Sequence, residues 1–393
     1  MHRSYFISLF IFFFCIMFVI LLLQSFNRIY ENFIDKNGIL LPYGFKSKII
    51  ARSGEKIENT DYIWHHAPDG GAIFNFEDNS DYIYVSNSEI MPNGGVSAIR
   101  FTKNGKIKDA YSICSNTNNN CSGGKTPWNT WLTCEEYSDG YVWECYPFDK
   151  NRKANKLEKL GKFSHEAIVV DNLTGYIYLT EDKTPGLIYR YVPKYTSNYI
   201  FNNNENIYYK KPNMEIGILQ ALKINKNMNI SWVNIDDYKA TNTRTLEQGI
   251  SKGAYKFYGP EGIDMNKKTR KIYFVTKRDN IVWEIDLKLN KLSKFYEKSK
   301  DKNPQASGLD NITLTKKGTI IVAEDGGNME IVAIYKNNIS RPILRIIGQS
   351  SSEIAGPAFT KDMQKLYFSS QRGKTGMDTG GITYVVEGNF LNI

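Results

Sequence analysis

Six short segments of the chain each set a side chain with ligating atoms beside a small residue. They are Asp69 in Asp-Gly-Gly, Cys121 in Cys-Ser-Gly-Gly, Glu166 in His-Glu-Ala, Glu261 in Pro-Glu-Gly, Asp310 followed by Asn311, and Glu353 in Glu-Ile-Ala-Gly. Carboxylates gathered at one point repel and raise one another's pKa, so such a set is costly unless cations bind it. Oxygen ligands in quantity suit calcium or magnesium. A lone thiolate among them adds a softer ligand and points to a transition metal, with iron in keeping. The small neighbours let backbones crowd together. Any one of these acids alone reads as a solvated strand end. Their repetition in phase argues against that.

The elements that must position them form a repeat. A short strand-like run ends in polar or acidic residues, a turn follows, and a second run with Tyr or Trp returns. The runs are Tyr82–Glu89, Thr130–Glu136, Tyr176–Asp182, Lys271–Lys277, Thr319–Asp325 and Lys365–Gln371. Most neighbouring starts lie roughly 45–50 residues apart, the spacing of propeller blades. The one long gap, between Tyr176 and Lys271, holds an Asn- and Tyr-rich insertion near Tyr195 to Lys211. Each ligating residue stands about ten to twelve positions before its repeated run, at the start of the preceding strand. The innermost strands of a propeller converge on a central channel, which would bring these side chains to one mouth. The expected fold is therefore all-β, a single six-bladed β-propeller over 61–393. A β-sandwich with long loops accounts for the hairpins but not for the regular spacing.

The rest of the sequence bounds the setting. The aromatic content of 13%, with 26 Tyr, favours strands. The net charge of +9 comes from lysines scattered through turns and interleaved with acids, so no nucleic-acid partner is expected. Tyr5 to Leu23 is an uncharged apolar run near the ~20 residues that cross a bilayer. Gln24 to Arg28 make a poor signal-peptidase site. Residues 1–28 are thus expected to be an uncleaved transmembrane anchor, with a cleaved signal peptide as the alternative, and 29–60 a linker. Arg3 on one side faces Arg28 and Lys36 on the other, which leaves the orientation open.

The run Cys121-Ser-Gly-Gly-Lys-Thr-Pro-Trp-Asn-Thr-Trp-Leu-Thr-Cys-Glu-Glu136 closely resembles the signature of PhoX-type alkaline phosphatases. The resemblance continues through Gly161–Ala167, Tyr178–Asp182, Gly259–Gly262, Asp310–Thr313, Ala323–Glu330 and Glu353–Phe359, and spans roughly Trp64 to Gly388. It implies a central site with two ferric ions and several calcium ions that hydrolyses phosphate monoesters. It also implies a propeller outside the cytoplasm, periplasmic or extracellular, and secreted if the N-terminal segment is cleaved. By position, Cys121, Glu166 and Glu261 match iron ligands, and Glu136 a shared or calcium ligand. Glu135, Asp310, Asn311, Glu324, Asp325 and Glu353 match calcium ligands or groups that support them. The expected nucleophile is a metal-bound oxygen, with no Ser/His/Asp arrangement. His165 is a candidate supporting group; His65 and His66 precede Asp69, with a structural role favoured.

Two departures from the family pattern stand out. The family carries an arginine two residues before the glutamate matching Glu261, whereas this chain has Gly259, so it looks closer to a shorter subgroup. Arg372 and Arg244 are candidate substitutes. Arg3 stands alone where a twin arginine is frequent, so Sec-type export and metal loading outside the cytoplasm are expected. The expected substrates are small phosphorylated molecules and the expected state a monomer. A calcium-dependent lactonase-like hydrolase and a non-catalytic metal-binding propeller are the alternatives. Cys134 and Cys145 flank the Ser138–Gly140 turn, and are expected either to form a disulfide or to remain free, with Cys114 a competing partner.

Overall fold

The computed structural model describes residues 32–393 except 79, 80 and 204. The expected membrane anchor lies outside the described residues, and no described helix is long and apolar enough to cross a membrane.

Six antiparallel sheets surround one axis. Blade one comprises Pro68–Asn75, Asp81–Ser88, Gly94–Thr102 and Ile107–Thr117. Blade two comprises Asn120–Lys125, Trp131–Glu135, Val142–Cys145 and Asn155–Lys156. Blade three runs from His165–Val170 through Ile177–Glu181, Ile188–Pro193 and Gly217–Ile224 to Ile230–Asn234. The Asn- and Tyr-rich insertion leaves this blade between its third and fourth strands and forms the hairpin Ile200–Asn202 with Ile207–Tyr209. Blade four is Pro260–Asn266, Lys271–Thr276, Ile281–Asp286 and Lys291–Glu297. Blade five is Leu309–Leu314, Ile320–Glu324, Glu330–Tyr335 and Ile339–Ile346, extended at its outer edge by Ile39–Pro42 and Asn32–Ile34. Blade six is Ile354–Phe359, Lys365–Ser370 and Ile382–Glu387, with Lys46–Arg52 as its outer strand. The propeller sheets thus begin well before residue 61. Lys46–Arg52, taken in sequence for linker, is the clasp that completes the last blade. Its polar outward positions and short length hide that role from a periodicity count.

The second strand of each blade explains why the repeat was visible. In Asp81–Ser88, Trp131–Glu135, Ile177–Glu181 and Ile320–Glu324 every residue is buried. A strand covered on both faces reads as a continuous apolar run rather than an alternating one. The covering comes from neighbouring blades, and six apolar clusters fill the six interfaces. Val85 and Val96 meet Trp131 and Cys145 between blades one and two. Leu132 meets Leu179 and Tyr189 between two and three. Tyr178 and Ile188 meet Phe274 and Trp283 between three and four. Tyr273 and Val275 meet Ile320 and Val322 between four and five. Ile321 and Ile331 meet Leu366 and Phe368 between five and six. Tyr84 and Ile99 meet Tyr367 and Val385 where six returns to one, and the hydroxyls of Tyr82 and Tyr367 bond there at 2.7 Å. Each large side chain buried this way contributes about 1.5–3 kcal/mol.

Every first strand carries a β-bulge near its start, and the bulge is what aims the ligating residues. The paired register skips Asp69-Gly70, Cys121-Ser122, Glu166-Ala167, Glu261-Gly262 and Asp310-Asn311 in blades one to five. A bulge re-aims the side chain of its unpaired residue, here toward the axis. The small second residue lets adjacent first strands abut: a Cβ on Gly70 would lie 2.5 Å from Ser122 Cα. In blade six the bulge falls on Gly356-Pro357 and offers no ligating side chain. A Cβ on Gly356, which has φ +62°, would lie 2.6 Å from the carbonyl oxygen of Asp69, so this glycine seals the ring.

Candidate metal centre

Two rings of side chains meet at the axis. The inner ring comes from the bulges: Asp69, Cys121, Glu166, Glu261 and Asp310, all buried. The second comes from the residue immediately after each second strand: Glu89, Glu136, Asp182, Lys277, Asp325 and Gln371. Together with Glu353 they form four triplets whose ligand atoms lie within 4.8 Å of one another: Asp69, Glu89 and Cys121; Cys121, Glu136 and Glu166; Glu166, Glu261 and Asp310; Asp310, Asp325 and Glu353. The triplets share members, so the site is a continuous acidic arc rather than separate patches.

Eight of the sequence-derived candidates are therefore brought together: Asp69, Cys121, Glu136, Glu166, Glu261, Asp310, Asp325 and Glu353. Glu353 reaches the arc from the residue before its strand, not from a bulge, and Arg372 Nη1 donates to it at 2.6 Å. Three candidates are placed elsewhere. Glu135 accepts the backbone N–H groups of Asn118 and Tyr141, both at 3.0 Å. Glu324 does the same for Ser307 at 2.7 Å and Glu330 at 3.0 Å. These acids end their strands one residue before the axial position, and successive strand residues point opposite ways, so they fasten loops instead. Asn311 donates to Asp310 Oδ1 at 2.7 Å and accepts from the N–H of Gly356 at 2.5 Å, tying blade five to blade six.

The side chains missed in sequence are Glu89, Asp182, Lys277 and Gln371. Each closes a repeated run, and the phase of the repeat is the signal that would have found them. Gln371 Nε2 bridges Asp69 Oδ2 and Glu89 Oε2 at 2.5 and 2.6 Å. Lys277 Nζ lies 2.8 Å from Asp310, 2.9 Å from Asp325 and 3.1 Å from Glu261.

The electrostatics follow from the geometry. Burial, then the neighbouring charges of Glu261, Asp310, Glu136 and Asp69, pushes the Glu166 carboxyl well above its usual range. Burial and then Asp310 do the same to Glu261, and burial and then Glu89 to Asp69. Glu136 is pushed up to about 9 by burial, Glu89 and Asp182. The Cys121 thiol is raised by burial first and by Asp69 and Glu166 next. Burial also opposes the charge on Lys277, but Asp310, Glu261 and Asp325 outweigh it and hold the ammonium protonated. Without cations such a cavity keeps extra protons; with them its carboxylates ionise.

Metal ions fit this donor set. Glu166 is fully buried, and neither of its oxygens has a hydrogen-bond partner. Buried carboxylate oxygens left unpaired are expensive, and an ion shared with Cys121 and Glu136 would satisfy them. A thiolate with carboxylates suits a transition metal, and the all-oxygen triplets suit a hard cation.

The histidines do not join the arc. His165 stacks on Phe163 at 3.6 Å, with Nε2 3.0 Å from the Gly161 carbonyl oxygen, and burial lowers its pKa to about 3. His65 bonds Ser97 at 2.8 Å and Ser86 at 3.3 Å within blade one. The His66 carbonyl accepts from Ser88 at 2.8 Å. Arg244 pairs with Asp139 at 2.6 Å in an exposed position, beside Lys162 and Lys183 in a small cleft. The described cysteines, Cys114, Cys121, Cys134 and Cys145, are all free thiols. Strand register sets Cys134 opposite Val142 and Cys145 opposite Trp131, so of the two alternatives for Cys134 and Cys145, a disulfide or free thiols, the structure has the free thiols. Cys145 packs in one cluster with Cys114 instead.

The chain is thus an all-β, six-bladed propeller with a thiol and carboxylates gathered on its axis. A family model described as alkaline phosphatase PhoX matches residues 85–140 and 137–286, just over half of the chain. The chain belongs to the PhoX alkaline phosphatase family. No curated protein matches it in sequence. Among solved structures it is similar to Pseudomonas fluorescens PhoX in complex with vanadate, a transition-state analogue, with a TM-score of 0.71 and 16% identity over 91% of this chain and 97% of that one. That likeness establishes the six-bladed fold. A gluconolactonase from Xanthomonas campestris gives a TM-score of 0.45 and 9% identity, covering 89% of this chain and 88% of that one. Regucalcin from Agrobacterium tumefaciens, a calcium-binding protein, gives 0.45 and 12% over 82% and 92%. The last two scores are too low to bear on function.

Proposed function

We propose that this chain is an exported, metal-dependent phosphoesterase that hydrolyses phosphate monoesters at the axial arc, with iron at the Cys121 side and calcium among the carboxylates. The observation that carries the reading is Glu166, buried between two triplets with both oxygens unpartnered. Cys121, Glu136, Glu166 and Glu261 would hold the iron, with Asp69 and Glu89 offered to calcium; Asp310, Asp325 and Glu353 complete the acidic arc. When bound, the ions supply charge neutralisation at the phosphoryl group and Lewis acidity toward the attacking water.

The chain's own cations orient the ester. Arg372, half-buried, is held by Glu353 at 2.6 Å and lies 3.7 Å from Glu89. A Cβ on Gly259 would lie 3.3 Å from Arg278 Cγ, so the Arg278 stem fills the space a side chain at 259 would take. Arg372, with the exposed Arg278 beside Gly259, would grip phosphoryl oxygens in place of an arginine at 259. The apolar blade interfaces fix the rings and keep water out of the flanks of the site.

The test joins metal analysis of the folded domain to hydrolysis of p-nitrophenyl phosphate. Iron and calcium with phosphatase activity, both lost in Cys121→Ala and Glu261→Ala, is the expected result. Calcium without iron refutes the iron assignment, and metal-replete but inert protein refutes the phosphatase assignment. Membrane anchoring through residues 5–23, export and a monomeric state belong to the same reading; fractionation, protease accessibility in intact cells and light scattering test them.

A further inference from the structure

The internal repeat makes one residue of the arc anomalous. In five blades the position after the second strand is an acid or an amide: Glu89, Glu136, Asp182, Asp325 and Gln371. In blade four it is Lys277. Its backbone N–H is anchored on the Gly259 carbonyl at 2.9 Å, and its side chain is largely buried. The ammonium contacts one carboxylate oxygen each from Glu261, Asp310 and Asp325, at 2.8–3.1 Å, drawn from blades four and five. A cation enclosed by three carboxylates stands where a hard metal ion would otherwise find its ligands.

The four triplets therefore differ. Two of them, Glu166–Glu261–Asp310 and Asp310–Asp325–Glu353, are built partly from groups that Lys277 already engages. The other two, Asp69–Glu89–Cys121 and Cys121–Glu136–Glu166, share no residue with it. Glu166, with both oxygens free of partners, belongs to one of each kind and marks the boundary. A charge tethered to the backbone competes at an effective concentration in the mM range or above. An ion entering the Asp310 side has to displace it.

We propose that Lys277 acts as a tethered cation in the Glu261–Asp310–Asp325 part of the arc, in the place of a calcium ion, and so confines exchangeable calcium to the part bounded by Asp69, Glu89, Cys121, Glu136 and Glu166. The inference rests on the reading that the arc holds metal. It makes Lys277 the residue that sets the number of bound ions, and it leaves fewer ions than the acidic triplets alone would take.

The test counts calcium. Chelator-stripped wild type, Lys277→Met and Lys277→Arg are titrated with calcium chloride, and bound ions are read by calorimetry and elemental analysis. Lys277→Met is expected to bind at least one more calcium ion per chain than wild type, and Lys277→Arg the same number as wild type. An unchanged count in Lys277→Met overturns the proposal. A second arm needs no variant: wild type loaded with calcium is treated with acetic anhydride and mapped by mass spectrometry. Lys277 is expected to resist acetylation while exposed Lys106 reacts. Equal labelling of the two shows that the ion has expelled the ammonium, and also overturns the proposal. If wild type and Lys277→Met both bind no calcium, the metal reading of the arc falls with it; if both bind equally, only the role of Lys277 falls.

Discussion

Replacing Glu166 with glutamine should shift stability in opposite directions with and without metal. Glu166 sits within 4.8 Å of ligand atoms in two triplets and has no hydrogen-bond partner. At that distance and an effective dielectric of about 20, Coulomb's law gives roughly 3.5 kcal/mol for one fully ionised pair. Shared protons already relieve part of that repulsion, which leaves about 1–2 kcal/mol to recover when the carboxylate becomes an amide. The amide can also donate to neighbouring carboxylates. In EDTA, Glu166→Gln should therefore melt about 1–3 °C above wild type. With metal the sign reverses. Losing a central ligand should weaken ion binding at least about 100-fold, which removes roughly 2.7 kcal/mol of ion-dependent stabilisation at a fixed ion concentration. Paired thermal melts in EDTA and in excess iron and calcium measure both. A variant that melts below wild type in EDTA and gains as much from the two ions as wild type would refute the assignment of Glu166 to the metal centre.

The remaining expectations concern pH, fasteners and thiols. Burial lifts Glu136 to about 9 and Glu181 to about 8 in the folded chain, above the 4.5 of a free glutamate. Carboxyls raised in this way contribute stability that is complete below about pH 4.5 and lost as pH rises through their folded values, so metal-free protein should melt progressively lower between about pH 5 and pH 9. Saturating cations should flatten that slope; a metal-free protein whose melting rises over the same range contradicts the burial argument. Glu135→Ala and Glu324→Ala each strip two backbone N–H groups of their acceptor and should cost about 1–3 kcal/mol by denaturant melts, with no change in ion count. Ellman's reagent should reach none of Cys114, Cys121, Cys134 and Cys145 in the folded protein and all four in denaturant.

Much of the architecture was legible because each blade repeats a sandwiched strand. Tyr82–Val85 and Ile320–Ala323 stand out as unbroken apolar or aromatic runs, and a strand covered on both faces has to look that way. The ligands were legible for the same reason: Asp69, Cys121, Glu166, Glu261 and Asp310 occur in one phase of the repeat. What escaped depends on single-residue geometry. Glu135 and Glu136 are adjacent and chemically alike, yet only the second passes the strand end and turns to the axis. Glu324 and Asp325 repeat the ambiguity. Glu353 looked in phase, but its blade shifts the bulge to Gly356-Pro357, which only the register reveals. Lys277 and Gln371 escaped because a search for ligands passes over a cation and an amide. The clasp strand Lys46–Arg52 escaped because its partner lies at the other end of the chain.

That clasp makes the order of assembly a property of the fold. Arg52 pairs with Ile382, and the bond from Gln371 to Asp69 joins the last blade to the first. During synthesis the chain therefore exists as an open arc of blades whose two ends cannot meet until the final strands emerge. Closing so long a loop costs little more than closing a moderate one, but contacts this distant in sequence form slowly. The acidic arc runs through all six blades and is complete only when the last blade has docked. Ions that bind the completed arc more tightly than an open one hold it shut by mass action. Loss of the ions and release of the clasp then become two views of one event: a protein stripped of metal should first exchange its amide hydrogens along Lys46–Arg52 and Ile382–Glu387, the seam where the circle was completed.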